Sequence, residues 1–195
     1  MKNETMRVLI VSAIAALCLG LQACSSEPLS PSEKQEQRAD VRDTASQTLN
    51  QLYAANPDVQ DVVTNAAGYA VFSNFGFKII FGGGNNGSGI AINNSTKQET
   101  FMKMFELQPG LGLGANKFKA VYIFQWPEAF NNFIAGSWEF GANSMAAAKT
   151  NTEGGAYQGA VTVADGVFVY QLTEEGAIVG VSLTGAKYYL DSQLQ

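Results

Sequence analysis

GLGLGANKFKAVYIFQWPEAFNNFIAGSWEFGANSMAAAK, residues 110–149, reads as strand, turn, helix, strand, and it sets the class of fold for the whole chain. Gly110, Gly112 and Gly114 alternate with Leu111 and Leu113. In a strand, that alternation leaves one face bare and the other aliphatic, as where a barrel bends or another backbone comes close. Residues 118–124 follow as an aromatic and β-branched run. Trp126-Pro127-Glu128 then opens a short helix. Pro127 occupies a first-turn position where its missing N–H costs nothing, and Glu128 lies near the positive end of the helix dipole. Ala129, Phe130 and Phe133 share one face, and Gly136 ends the helix. Residues 137–140 return to strand character before a run of small residues at 141–148.

Outward from this unit, the N-terminal side predicts two helices. Ser30-Pro31-Ser32-Glu33 carries a cap, a first-turn proline and a capping-box glutamate. Val41, Ala45, Leu49, Leu52 and Tyr53 recur beyond it at helical spacing, so that helix lays one apolar stripe on the body. Asn56-Pro57-Asp58 stops it and starts a shorter helix with Val59, Val62, Val63 and Ala66 on one side, ended by Gly68. Residues 69–72 and 79–81 read as strands separated by Ser73-Asn74-Phe75-Gly76. The stretch 82–89, GGGNNGSG, formally contains G-x-G-x-x-G at Gly82, Gly84 and Gly87. A dinucleotide site needs a helix to follow, whereas Ile90-Ala91-Ile92 is strand-like, and no Gly-Lys-Ser/Thr follows either. The expectation is a glycine-rich hairpin turn with residues at positive φ. A turn at 93–96 and a strand over 97–107 come next, the latter apolar on both faces and so buried between layers.

On the C-terminal side, residues 151–155 read as a loop, and 156–164 and 167–172 form a hairpin across Asp165-Gly166. Glu174-Glu175-Gly176 turns into a last strand running through Ser182. Short strands separated by glycine turns predict an α+β fold. Its strongly curved antiparallel β-sheet or β-barrel carries N-terminal helices and one short inserted helix.

Several of these pieces resemble the SYLF family: Gly110 to Gly114, Val121 to Phe124, Pro127 to Ile134, Trp138-Glu139-Phe140-Gly141-Ala142, Ala146 to Ala148, and the ending Gly176-Ala177-Ile178-Val179-Gly180-Val181-Ser182-Leu183-Thr184-Gly185. The resemblance runs over about residues 41–189. It implies a lipid-binding or interaction module rather than an enzyme, with phosphoinositide-like headgroup binding. The family's glycine-rich segment at 82–89 is also a turn. In eukaryotic members an amphipathic N-terminal segment contacts phosphoinositides; here Glu33, Glu36, Asp40 and Asp43 are mixed with Lys34, Arg38 and Arg42, which makes a solvated charged face rather than a basic membrane face. Phe105-Glu106-Leu107-Gln108-Pro109 replaces the S/A-P-x-F that often precedes the glycine strand in bacterial relatives.

Residues 1–23 have a basic start (Lys2, Arg7), an apolar run at 8–19 and a small residue before Cys24, the layout of a secretory signal. The apolar run falls short of the ~20 residues that span a bilayer. Leu21-Gln22-Ala23-Cys24 resembles a bacterial lipobox, which predicts cleavage before Cys24 and its acylation. Acyl chains at roughly 0.8 kcal/mol per buried methylene then anchor the protein to the membrane. Ser25 resembles the sorting pattern for the outer membrane, with the domain facing the periplasm. The expected organisation is a lipoprotein signal peptide (1–23), a tether (24–30) and one SYLF-like domain (31–195). Cys18 falls in the removed segment, so no disulfide is expected.

The chain has 195 residues, enough for one proper core, and its net charge of -5 argues against nucleic acid as a partner. It contains no histidine. Ser-His-Asp and Cys-His sites are therefore excluded, as are imidazole-based zinc sites, and no acidic cluster has calcium-loop spacing. No metal or other cofactor is expected. Glu128 and Glu139 are a candidate carboxylate pair for glycoside chemistry, and Glu128 is better explained by its place in a helix first turn. For binding, Lys78, Lys117 and Lys119 sit beside Phe77 and Phe118 and could seat a lipid headgroup; edge protection is their ordinary role. The leading expectation is a lipid-anchored, non-catalytic domain that binds a lipid ligand. The alternative is an envelope scaffold that engages a protein partner.

Overall fold

The computed structural model describes residues 28–79, 82–109, 114–136, 139–140, 149–150, 157–179 and 185–195. Residues 77–79, 82, 108–109, 114–116, 139–140 and 149–150 are described by backbone alone. Two compact units divide at Ser30/Pro31, and the second, Pro31–Gln195, carries all the elements described below.

Helices α1 (Pro31–Ala55) and α2 (Val59–Asn65) precede four long strands, β1 (Gly68–Ile79), β2 (Gly82–Asn93), β3 (Glu99–Pro109) and β4 (Gly114–Phe124). Helix α3 (Pro127–Ile134) follows. Six short strands complete the order: β5 (Glu139–Phe140), β6 (Lys149–Thr150), β7 (Val161–Ala164), β8 (Val167–Leu172), β9 (Ile178–Val179) and β10 (Ala186–Leu190). Among the described residues they form one antiparallel sheet in the order β5-β10-β3-β2-β1-β4-β8-β7-β6, with β9 on β8, curled into half a barrel. The fold is α+β with a curved sheet, as the sequence predicts.

Strand alternation assigns the two faces. Ala70, Phe72, Ala91, Met102, Met104, Ala120, Tyr122, Phe124 and Tyr188 point into the concave side, where α3 closes one end with Phe130 and Phe133. The rings interlock, with Phe72 edge-on to Tyr122, Phe133 and Tyr188 at 5.9, 6.1 and 4.9 Å. Truncating one such ring to alanine costs about 3–5 kcal/mol. On the convex side α1 packs across β1, β2 and β4, and Val71, Ile90 and Val121 are fully covered. Of the predicted stripe, Ala45 and Leu52 are buried, and Thr48 joins them by donating its hydroxyl to Thr44 O at 2.7 Å.

Five expectations change. The strand read over 97–107 as buried on both faces leaves Phe105 and Leu107 exposed, and Lys103 partly so, along its convex face beyond Phe101. GGGNNGSG is no turn: it is the first part of β2, paired residue by residue with β1 and β3. Gly87 and Gly89 are needed for space rather than for positive φ, since a Cβ on Gly89 would lie 2.4 Å from Phe72 and one on Gly87 would overlap the Asn74 amide. Residues 73–76 likewise continue β1 without interruption, because Asn74 faces the interior and pairs with Gly87 and Phe118. Gly68 does not end α2, which is capped at Ala66. It opens β1, where the Phe130 ring lies within 2.6 Å of where a side chain would start. The last long-range pairing is made by β10, beyond the expected strand through Ser182, of which Ile178–Val179 are described.

Other expectations stand. Asn93 Oδ1 accepts the N–H groups of Ser95 and Thr96 in the predicted turn. The Asp165-Gly166 hairpin is present with Gly166 at φ 66°, and Gly136 leaves α3 at φ 77°. The glycine strand at 110–113, the small-residue run 141–148, the loop 151–155, the segment 180–184, and Cys18 and Cys24 lie outside the described residues.

Candidate functional site

Beyond the edge of α1, the convex face of the long strands is uncovered, and the register lays its side chains out in rows. Lys119, Ser73, Ser88, Lys103 and Tyr189 form one row across β4, β1, β2, β3 and β10; Lys117, Phe75, Asn86, Phe105 and Lys187 form the next. Leu107 stands one row further out. Phe75 is 51% exposed and Leu107 58%, with Phe105 and Tyr189 also exposed. A shallow cup of about 500 Å³ lies among them, bounded by Ser73, Phe75, Ser88, Lys103, Lys117 and Tyr189.

Of the three lysines singled out in the sequence, Lys117 and Lys119 come together on this face. Lys117 Nζ lies 3.5 Å from Glu174 Oε2, both groups about half exposed. Lys119 Nζ donates to Gln51 Oε1 at 3.0 Å and to Glu174 O at 3.3 Å, so it ties α1 to the turn after β8. Lys78 lies in β1 opposite Gly83 and Gly114, and its side chain is outside the described set. Lys103, which sequence reasoning missed, joins the cup with its ammonium 3.2 Å from the buried carboxylate of Asp191. Glu175 is also close. Its carboxylate is held below its usual range by its own backbone N–H, then by the Thr173 hydroxyl and the charge of Lys119. The surface is thus apolar knobs ringed by ammonium groups that already have acidic neighbours. Such side chains suit the layer between water and hydrocarbon, with rings inside and ammonium groups at headgroup level.

A second polar cluster lies inside the half-barrel and was not foreseen. Asn74, Asn85 and Glu106 are buried on adjacent strands, and Asn85 Nδ2 donates to Glu106 Oε2 at 2.7 Å. Both polar atoms of the Asn74 amide, and Asn85 Oδ1, have no hydrogen-bond partner among the described residues. Nearby, the hydroxyls of Tyr122 and Tyr188 are hydrogen-bonded to each other. Burial raises the Tyr122 phenol well above its ordinary value, reinforced by Tyr188 and by the charge of Glu106; Tyr188 is raised by burial as well. The signal was present: once residues 73–76 and 82–89 are read as strand, Asn74, Asn85 and Glu106 fall on the parity of Phe72 and Met104. Glu128 stands in the first turn of α3, as expected, and the Glu139 side chain lies outside the described set. No group of three His, Cys, Asp or Glu side chains able to hold a metal occurs among the described residues.

No protein-family model matches the chain. It is similar to Beta cell expansion factor A of Aeromonas veronii, 30% identical over 171 residues, an alignment that covers 87% of this chain and 63% of that protein. The chain therefore spans less than two thirds of that relative's length.

Proposed function

We propose that this chain is a non-catalytic, lipid-anchored envelope protein of the SYLF type, tethered through acylated Cys24 at the outer membrane and facing the periplasm. In this reading the uncovered convex face of its sheet rests on a lipid surface. The observation that carries the reading is the group of exposed apolar side chains, Phe75, Phe105, Leu107 and Tyr189, at register positions beside Lys103 and Lys117. Full burial of a large apolar side chain is worth about 1.5–3 kcal/mol, so four half-exposed ones contribute about 4 kcal/mol on entering the interface. Headgroup recognition is the smaller part. Lys103, Lys117 and Lys119 each have an acidic or carbonyl neighbour, so an anionic surface gains little from them, and high salt removes that share.

The test is vesicle co-sedimentation of the chain from residue 24 onward carrying Cys24→Ser, on neutral and on anionic vesicles at lipid concentrations raised to several times the roughly 1 mM dissociation constant expected from about 4 kcal/mol, at low and high salt. Phe75→Asp with Leu107→Asp is expected to weaken binding to both by about tenfold or more. Lys117→Glu is expected to weaken only the anionic case. If the double variant binds as the parent does, this face is not the contact. If the parent binds no vesicle, the face belongs to a protein partner and the scaffold reading replaces this one.

A further inference from the structure

The opposite end of the long strands carries a different surface. Phe124 pairs with Gly68, and Phe75 lies seven residues further along β1, about 23 Å away at strand rise. Two residues past Phe124, Trp126 is 53% exposed. It borders a depression of about 390 Å³ with Asp61, Asn65, Gln125 and Tyr157. The indole is held in place from below. Gly166 sits in the β7–β8 turn at φ 66°, and a Cβ there would lie 2.3 Å from the indole nitrogen, so the ring rests directly on the turn. Gln125 is fixed through its N–H to Gly166 O at 2.8 Å and through Nε2 to the Tyr157 hydroxyl at 2.9 Å. The Tyr157 ring is itself packed on Phe168 at 4.5 Å. Asn65 Nδ2 donates to Asp61 O at 2.9 Å.

We infer that this depression binds a neutral pyranose sugar. A pyranose has an apolar C–H face and a rim of hydroxyls. A preset indole offers its electron-rich face to the first, and planar amides, a phenol and a carboxylate take the second. The lining holds one carboxylate, Asp61, and no lysine or arginine, which disfavours phosphates and other anions. A quaternary ammonium ion would leave the amides and the phenol without a use. The site is independent of the lipid-facing surface.

The experiment uses the full chain in a detergent without a sugar headgroup, titrated with maltotriose and with tri-N-acetylchitotriose and read by tryptophan fluorescence and saturation-transfer NMR. Saturable binding of at least one sugar is expected, weakened by Trp126→Ala about tenfold and by Asn65→Ala several-fold, with Trp126→Phe retaining most of it. Phe75→Asp with Leu107→Asp leaves it unchanged. Thermal melts establish that each variant is folded, and the surface change at Asn65 keeps the test valid if Trp126→Ala unfolds. Lack of saturation by either sugar overturns the inference. So does binding that survives both Trp126→Ala and Asn65→Ala, or inorganic phosphate competing as well as the sugars do.

Discussion

Gly84 and Gly89 occupy the same strand, and alanine at the two positions is expected to have opposite effects. At Gly89 a Cβ would stand 2.4 Å from both Phe72 Cδ1 and Val71 O. The carbonyl is fixed in the ladder between β1 and β2. The Phe72 ring cannot retreat either, since Tyr188 at 4.9 Å and Tyr122 at 5.9 Å hold it. Overpacking of this kind costs about 1–3 kcal/mol, and a site with neither neighbour free to move belongs at the top of that range. At Gly84 the nearest atoms are Glu106 O and Phe105 Cε2, both at 3.4 Å, an ordinary contact. Alanine there removes unfolded-chain entropy without strain and adds a methyl against Phe105, a gain of about 0.5–1 kcal/mol. For a domain of this size 1 kcal/mol moves Tm by about 2–4 °C, so Gly84→Ala raises it by about 2 °C and Gly89→Ala lowers it by about 6–10 °C. Urea unfolding followed by circular dichroism and by tryptophan fluorescence measures both, with unchanged slopes required. In a glycine turn at positive φ, both substitutions would destabilise by similar amounts. Loss of about 1 kcal/mol at Gly84, or tolerance at Gly89, would refute the strand account.

Alkaline unfolding should be steep. Tyr53, raised to about 12 by burial and then by Tyr69, and Tyr122, Tyr170 and Tyr188, raised by burial first, all ionise more readily in the unfolded chain, near pH 10. A raised folded-state value keeps the full stability below pH 10 and loses it as pH climbs from there toward the folded values. Absorbance of tyrosinate against pH should therefore show a late, cooperative step coincident with loss of circular dichroism; early titration of all seven tyrosines would contradict the buried hydroxyl pair. On the surface, Arg42 makes a two-pronged pair with Glu99 at 2.7–3.0 Å and covers the Phe101 ring at 5.2 Å. Arg42→Ala is expected to cost about 1 kcal/mol, and because the pair is exposed, high salt should remove part of the difference between variant and parent; a salt-independent loss would assign the effect to packing on Phe101 alone.

The fold was legible wherever side chains carry a periodic signal. Ala45 and Leu52 on α1 and Phe130 and Phe133 on α3 landed where spacing put them, and β8 spans the 167–172 read for it. The glycine-rich segment misled because glycine gives no alternation to read: at 82–89 the pattern that identifies a strand belongs to the partners, Phe72 and Asn74 on β1 and Met104 on β3, whose bulk fills the space that Gly87 and Gly89 leave. That information is tertiary. The same error hid Asn74 and Asn85, since a residue in a presumed turn has no assigned face, and without them Glu106, on a strand read as apolar on both faces, had no polar neighbour to mark it. Strand β10 was missed for a related reason: Lys187, Tyr188 and Tyr189 form too short a run to stand out until Tyr188 is seen meeting Tyr122 across the half-barrel. At the convex surface, Lys117 was found because aromatic neighbours flank it in sequence, whereas Lys103 and Tyr189 needed the register.

That register also bears on how weak a lipid contact can be and still matter under the proposed reading. About 4 kcal/mol corresponds to a dissociation constant near 1 mM, so an unanchored domain is held only where accessible lipid is itself millimolar and is free below that. An acylated Cys24 would confine the domain to a thin shell over the bilayer, where the effective concentration of surface is itself about millimolar. Contact and release are then nearly balanced, and the acidic remainder of the chain opposes any other face settling on anionic lipid. In that regime a single substitution such as Leu107→Asp shifts the docked fraction several-fold without detaching the protein. Under the proposed reading anchoring and docking are therefore separable: removal of the thiol is expected to abolish the first, and loss of the apolar row the second.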